Sequence, residues 1–181
     1  TDEQFRKRFE RVKGELERLD TILSGFLRFT RPPKLSIERT DINKLVNKTV
    51  RFFQPECISK GITLELSLAD GLPRIFVDGK QVEQMLLNLL TNAKDATRRG
   101  GRIKVTTQKI RQGVRIIVED TGCGIPKEKL TEVFKPYFTT KQGGTGIGLS
   151  IVKRIAEEHS ARIQVESTLG KGTRFIVEFP K

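Results

Sequence analysis

The sequence predicts an α/β (α+β) fold, a two-layer sandwich in which a mixed β-sheet is covered by about three helices, preceded by one long N-terminal coiled-coil or bundle helix. Three observations carry this expectation. Segments with apolar residues at helical spacing alternate with short segments in which apolar and polar residues alternate singly. A strand-like run, Val114–Val118, ends on Glu119-Asp120-Thr-Gly-Cys-Gly124, and a helical pattern opens directly behind Gly143-Gly-Thr-Gly-Ile-Gly148-Leu149. The first 26 residues carry a heptad stripe that one helix cannot bury by itself.

In that stripe Phe5, Phe9, Val12, Leu16, Leu19, Leu23 and Phe26 recur at alternating steps of four and three. It suits either a helix packed on its own globular body or one member of a helical bundle. Pro32 and Pro33 end it, because proline blocks helix continuation and restrains the residue before it. Residues 32–40 then read as a linker. Asp41 is placed to cap a second helix whose apolar face is Ile42, Leu45, Val46, Val50 and Phe53, closing at Gly61. Ile62, Leu64, Leu66 and Leu68 alternate with polar residues as a half-buried strand does, and a short strand follows at Arg74–Val77.

The next helix, Lys80–Arg98, puts Val82, Met85, Leu86, Leu89, Leu90 and Ala93 on one arc at about 100° per residue. Arg102–Lys109 and Val114–Glu119 form a hairpin across Arg111-Gln-Gly113. Ile125–Gly143 is mostly loop, with one short helical stretch at Lys127–Val133. The last strands fall at Arg162–Ser167 and Arg174–Phe179, with Gly170 and Gly172 between them.

Bulk properties narrow the class. A chain of 181 residues with 36% hydrophobic content has room for one ordinary domain and an appendage. No apolar run approaches the roughly 18 residues of a membrane span, and no signal peptide is visible. The chain starts within a helical pattern and without Met, so it is expected to be a fragment of something longer. Cys57 and Cys123 are far apart and lack metal-ligand spacing, which suggests a reducing, cytoplasmic compartment. A net charge of +12 raises nucleic-acid binding. The basic residues are interleaved with acids, however, and no zinc-finger, helix-turn-helix or aromatic RNA-binding motif is present. The charge reads as solvated surface, with no nucleic-acid partner and no membrane contact expected.

The chemistry concentrates in two half-motifs. A carboxylate at a strand end, Asp120, is suited to accept a hydrogen bond from an exocyclic amine such as that of adenine. A glycine-rich loop on a helix N-terminus offers backbone N–H groups and the positive end of the helix dipole to phosphates. Each half alone is ambiguous. Asp-x-Gly-x-Gly is also an ordinary turn, and the glycine loop departs from both the dinucleotide fingerprint and the P-loop. Asn88 and Asn92 add a third feature, one turn apart beside the apolar arc of their helix. Asparagine is a poor helix-interior residue, so the pair is either a solvent-facing edge or a set of oxygens for a hard cation such as magnesium.

Taken in order, Asn88-Leu-Leu-Thr-Asn92-Ala, Asp120-Thr-Gly-Cys-Gly124, Phe134-Lys-Pro-Tyr-Phe138-Thr-Thr-Lys141 and Gly144-Thr-Gly-Ile-Gly148-Leu resemble the N, first glycine, F and second glycine boxes of sensor histidine kinases. Gly170-Lys-Gly-Thr-Arg-Phe175 resembles the closing glycine box, and the nitrogen-regulation-type kinases look most similar. The resemblance covers nearly all of the chain from Asp41. It implies a Bergerat-type ATP-binding catalytic domain of the GHKL superfamily over residues 41–181. Residues 1–31 would be the second helix of the dimerisation and histidine-phosphotransfer region, making a homodimer in the full-length protein. Ile125–Gly143 would be a lid over ATP, with Phe134 and Phe138 pinning its ends. A response-regulator receiver domain is the implied partner.

The same resemblance implies ATP and Mg²⁺ as cofactors and distributes the contacts. Asp120 would read the adenine amine, with Gly122, Gly124, Ile125 and Thr173 around the adenine end, and would reject the carbonyl that guanine presents there. Asn92 would hold Mg²⁺, with Asn88 supporting the phosphates and Asp95 among the nucleotide-binding residues. Tyr137, Thr139, Thr140 and Lys141 would approach from the lid, Lys141 toward the β- or γ-phosphate. Gly144, Thr145, Gly146, Ile147, Gly148 and Leu149 would cradle the triphosphate. Asn88 stands where the gyrase, mismatch-repair and Hsp90-type ATPases carry a water-activating glutamate, and an asparagine cannot act as that base.

Two departures stand out. The family's histidine followed by an acidic residue is absent, so no catalytic phosphoacceptor is expected here, and the single histidine, His159, reads as structural. Asp95 occupies a position where several members carry a lysine near the phosphates. Two other readings fit parts of the sequence. A non-catalytic ATP-gated interaction module would need the same boxes. An aspartic protease, suggested by Asp120-Thr-Gly, would need a second such loop that the chain lacks.

Overall fold

The computed structural model describes residues 4–6, 8, 9, 12, 35–140 and 144–181. Residues 4–6, 8, 9 and 12 are helical, and Phe5, Phe9 and Val12 are exposed. The rest of the expected N-terminal helix, the Pro32-Pro33 stop and Lys141 lie outside the described residues.

Ten labelled elements follow in the order β1 Glu38–Thr40, α1 Ile42–Ser59, β2 Thr63–Ser67, β3 Ile75–Val77, α2 Gly79–Ala96, β4 Arg102–Ile110, β5 Gly113–Asp120, α3 Gly148–Glu158, β6 Arg162–Thr168 and β7 Gly172–Pro180. The main sheet runs β2-β4-β5-β7-β6, with β2 parallel to β4 and the other pairs antiparallel. It is the mixed sheet with three helices that the periodicities predict.

One face of this sheet builds the core. Ile103 and Val105 of β4, Val114, Ile116 and Val118 of β5, and Phe175, Val177 and Phe179 of β7 pack against Val46 and Phe53 of α1, Met85, Leu86 and Leu89 of α2 and Val152 and Ile155 of α3. The opposite face carries cross-strand ion pairs, Arg115 with Glu178, Arg174 with Glu166 at 3.5 Å and Arg102 with Glu65 at 3.6 Å. Between them Ile117 opposes Ile176. Solvent-accessible pairs of this kind contribute about 0–1 kcal/mol each, whereas one buried Phe or Leu contributes about 1.5–3 kcal/mol. The helix-covered face therefore dominates stability.

Side-chain caps close the N-termini of α1 and α2. Asp41 accepts the N–H of Lys44 at 3.1 Å, and Gly61, at φ +68°, turns the chain out of α1. Asp78 caps α2, its Oδ1 accepting the N–H groups of Lys80 and Gln81 at 3.0 and 3.1 Å. The N–H of Ser36 donates to the other oxygen of Asp78 at 3.0 Å. The N–H of Asp78 donates to Nε2 of His159, 2.9 Å away at the C-cap of α3. Since Nε2 accepts, Nδ1 carries the proton and donates to the Ile155 carbonyl at 2.7 Å. His159 is buried and both nitrogens are engaged, the structural role expected of it.

Two segments differ from the sequence reading. The stretch read as linker ends in β1, which pairs antiparallel with β3, Arg39 opposite Phe76. Three residues are too few to show alternation, so only the distant partner reveals the strand. Lys127–Val133 forms a single 3-10 turn at Lys127–Lys129 followed by further turns. Pro126 and Pro136 bracket the segment, and one turn between two prolines cannot repay helix nucleation.

Candidate functional site

A cavity of about 300 Å³ opens where the C-terminal half of α2, the end of β5, the Cys123–Pro126 loop and the first turn of α3 meet. It is lined by Asn88, Asn92, Asp95, Asp120, Gly124, Ile125, Thr139, Thr140, Gly144, Thr145, Gly146, Gly148, Leu149 and Thr173. All fourteen are residues that the sequence singled out, and they come from five separate stretches of chain.

Asp120 sits at the end of β5, between Ile103 of β4 and Thr173 of β7. It is buried, and its Oδ1 accepts the N–H of Gly122 at 2.8 Å. This turn holds the carboxylate in one orientation. The loop behind it is tied on three sides. The N–H of Cys123 donates to the Ala96 carbonyl at 3.1 Å, that of Gly170 to the Cys123 carbonyl at 2.7 Å, and that of Ile125 to Ser167 Oγ at 2.8 Å. Ser167 Oγ donates in turn to the Gly172 carbonyl and lies 3.0 Å from Thr173 Oγ1. Glycine is required where these chains touch. At Gly172, φ +129°, a Cβ would stand 1.9 Å from the Asp120 carbonyl oxygen.

At the other end, α3 begins without a side-chain cap and with no acid in its first turn. Its first N–H groups are therefore not taken by a cap of their own, and the positive end of the dipole faces the cavity. The stacked asparagines lie directly beneath. A Cβ on Gly148 would be 3.4 Å from Asn88 Oδ1 and 3.7 Å from Asn92 Nδ2. Gly146, at φ +66°, rests on the backbone of Tyr137, where a Cβ would approach to 2.4 Å. Phe134 packs edge-on against Phe175, ring centroids 6.2 Å apart, and anchors the near end of the loop.

Three expected contacts stand elsewhere. Tyr137 is largely exposed and does not line the cavity; at φ +65° its backbone supports Gly146 instead. Gly122 is buried behind Asp120, where its N–H fixes the carboxylate and its lack of a Cβ admits the Ala96 carbonyl. Ile147 occupies the N-cap position of α3 without supplying a cap, and its carbonyl accepts the Ser150 hydroxyl at 2.7 Å. Thr91, Ala96, Cys123, Pro126, Val133, Phe138 and Phe175 also line the cavity. Thr91 and Ala96 lie on the asparagine flank of α2 and Cys123 inside the glycine motif, so helical spacing and proximity were signals for them. Val133 and Phe175 arrive from remote segments, and nothing local marks them.

The described lining holds two carboxylates, Asp95 and Asp120, and neither a lysine nor an arginine. An anionic ligand is met there by backbone N–H groups and amide side chains. Among the described residues no cluster of three or more His, Cys, Asp or Glu has the arrangement of a metal site, and no helix is long and apolar enough to cross a membrane.

Residues 77–181 match the family described as histidine kinase-, DNA gyrase B-, and HSP90-like ATPase. The sensor histidine kinase ZraS of Escherichia coli (strain K12) is 39% identical over 166 residues, 92% of this chain and 36% of ZraS. The crystal structure of full-length ShkA in complex with AMPPNP superposes with a TM-score of 0.84 at 28% identity, covering 98% of this chain and 38% of ShkA. Histidine kinase ThkA, in complex with the response regulator protein TrrA, gives a TM-score of 0.84 at 31% identity, covering 100% of this chain and 52% of ThkA. The chain thus spans little more than a third of the curated relative's length.

Proposed function

The chain belongs to the histidine kinase-, DNA gyrase B-, and HSP90-like ATPase family, as an ATP-binding catalytic domain of the sensor histidine kinase kind, and on that premise we propose how its own residues work. The chain binds Mg·ATP in the α2–α3 cavity and presents the γ-phosphate to a histidine of another segment, for relay to an aspartate on a response-regulator receiver domain. Residues 41–181 are the catalytic unit, and residues 1–31 are one helix of a dimerisation bundle.

The observation that carries this reading is the meeting, in one cavity, of a buried strand-end carboxylate, two stacked asparagines and an uncapped helix N-terminus. Asp120 accepts the hydrogen bond of the adenine amine. Gly144–Leu149 give the phosphates backbone N–H groups. The donor set suits a hard cation. Asn88 Oδ1 lies against the first turn of α3, and the described lining offers no cationic side chain to balance a triphosphate. Asn92 would hold Mg²⁺, with Asn88 supporting the phosphates. The ion's part is to offset phosphate charge and orient the chain of phosphates.

Asn88 is not a general base, so water is not activated and the γ-phosphate waits for a better nucleophile. His159 is not that nucleophile, because it is buried and both ring nitrogens are engaged. The support for a response-regulator partner is the likeness to ThkA, which was crystallised with the response regulator protein TrrA.

Calorimetric titration tests the reading. The chain takes up ATP in the presence of Mg²⁺ and much less GTP. Asp120→Ala weakens ATP by roughly ten- to a hundredfold, the loss of one charged hydrogen bond. Unchanged affinity in that variant refutes the assignment, and phosphate found on His159 after incubation with ATP refutes the transfer scheme.

A further inference from the structure

We infer that Asp95 is a specificity residue that accepts hydrogen bonds from the ribose hydroxyls of the bound nucleotide, an inference that rests on the ATP-binding reading above. Asn88, Asn92 and Asp95 fall within one narrow arc of α2, at spacings of four and three residues, and all three line the cavity. Two contacts orient this stripe. At its N-terminal end Asn88 and Asn92 lie against Gly148, in the first turn of α3. At its C-terminal end Ala96 touches the Asp120 turn, where a Cβ on Gly122 would be 2.6 Å from the Ala96 carbonyl. Asp95 therefore stands between the phosphate-binding loop and the adenine-reading carboxylate, about 10 Å along the helix from Asn88.

The chemistry of that midpoint selects the ligand part it meets. A carboxylate only accepts hydrogen bonds. It repels phosphate oxygens, and the adenine amine is taken by Asp120 across the cavity. The remaining donors of the nucleotide are the 2′ and 3′ hydroxyls, and the sugar is the part that links base to triphosphate. Asp95 is exposed and lines the cavity. The result is a site that senses the sugar as well as the base.

The test compares ATP with 2′,3′-dideoxy-ATP, each with Mg²⁺, by calorimetry on the 181-residue chain. The parent binds ATP about tenfold more tightly than the dideoxy analogue. Asp95→Ala brings that ratio close to one, and Asp95→Asn, which keeps an acceptor oxygen without charge, retains part of it. Unchanged thermal unfolding without nucleotide establishes that both variants are folded. Equal binding of the two nucleotides by the parent, or discrimination that survives in Asp95→Ala, overturns the inference and leaves ATP binding intact. So does an equal loss of both nucleotides with an altered Mg²⁺ dependence, which would make Asp95 a partner of the cation instead. Failure of the parent to bind ATP at all would sink the underlying reading together with this one.

Discussion

Asp78 serves three backbone donors at once, those of Ser36, Lys80 and Gln81, while its own N–H holds His159. Burial works to raise the Asp78 carboxyl, but the hydrogen bonds from Ser36, Gln81 and Lys80 and the neighbouring His159 outweigh it and hold the group below its ordinary value of 3.8. The sign follows. A carboxylate whose folded value is depressed stabilises the fold above its unfolded value and loses that contribution as pH falls through the folded one. Urea midpoints should therefore drop below about pH 4, and Asp78→Asn should flatten that dependence while keeping most of the cap. Asp78→Ala at neutral pH should lose about 0.5–2 kcal/mol. His159→Ala would leave the buried Asp78 N–H without its acceptor, a loss of about 1–3 kcal/mol in the same measurement. At this scale the sequence marked His159 as structural and did not single out Asp78. A cap is local, but the 81-residue separation of the pair Asp78–His159 is not.

At the scale of elements, two glycines separate nucleotide binding from stability. Gly172 opens β7 with its α-carbon against the Asp120 carbonyl, so Gly172→Ala forces apart the β5–β7 pairing and tilts Asp120. Thermal unfolding should report a loss of at least about 1–3 kcal/mol, together with weaker ATP binding. Gly146 instead supports only the loop at the head of α3, against Tyr137. Gly146→Ala should weaken ATP binding while leaving unfolding of the sheet little changed. The glycine spacing marked both positions, but the residue each one touches became visible only in the fold. The same limit hid β1, whose partner β3 lies more than thirty residues away.

Across the whole molecule, ligand and fold are linked, because the cavity is built from α2, β5, β7 and α3 together. A ligand bound by the native state alone at a hundred times its Kd adds about 2.7 kcal/mol, which raises Tm by roughly 5–10 °C for a chain of this size. Mg·ATP should produce that shift and GTP should not. A core truncation such as Phe53→Ala should lower Tm by more, since it removes about 3–5 kcal/mol from the helix-covered face. Periodicity and the glycine and asparagine spacings determined by themselves which of the longer segments are helices and strands and nearly all of the polar residues that line the cavity. These are properties of short windows, set by backbone sterics and side-chain direction. Only the tertiary structure decided the strand order β2-β4-β5-β7-β6, the tie of β1 to β3, the turning of Tyr137 away from the cavity and the arrival of Val133 and Phe175 in its wall. Those features depend on contacts between residues far apart in the chain, and their free energy is not contained in any local stretch of it.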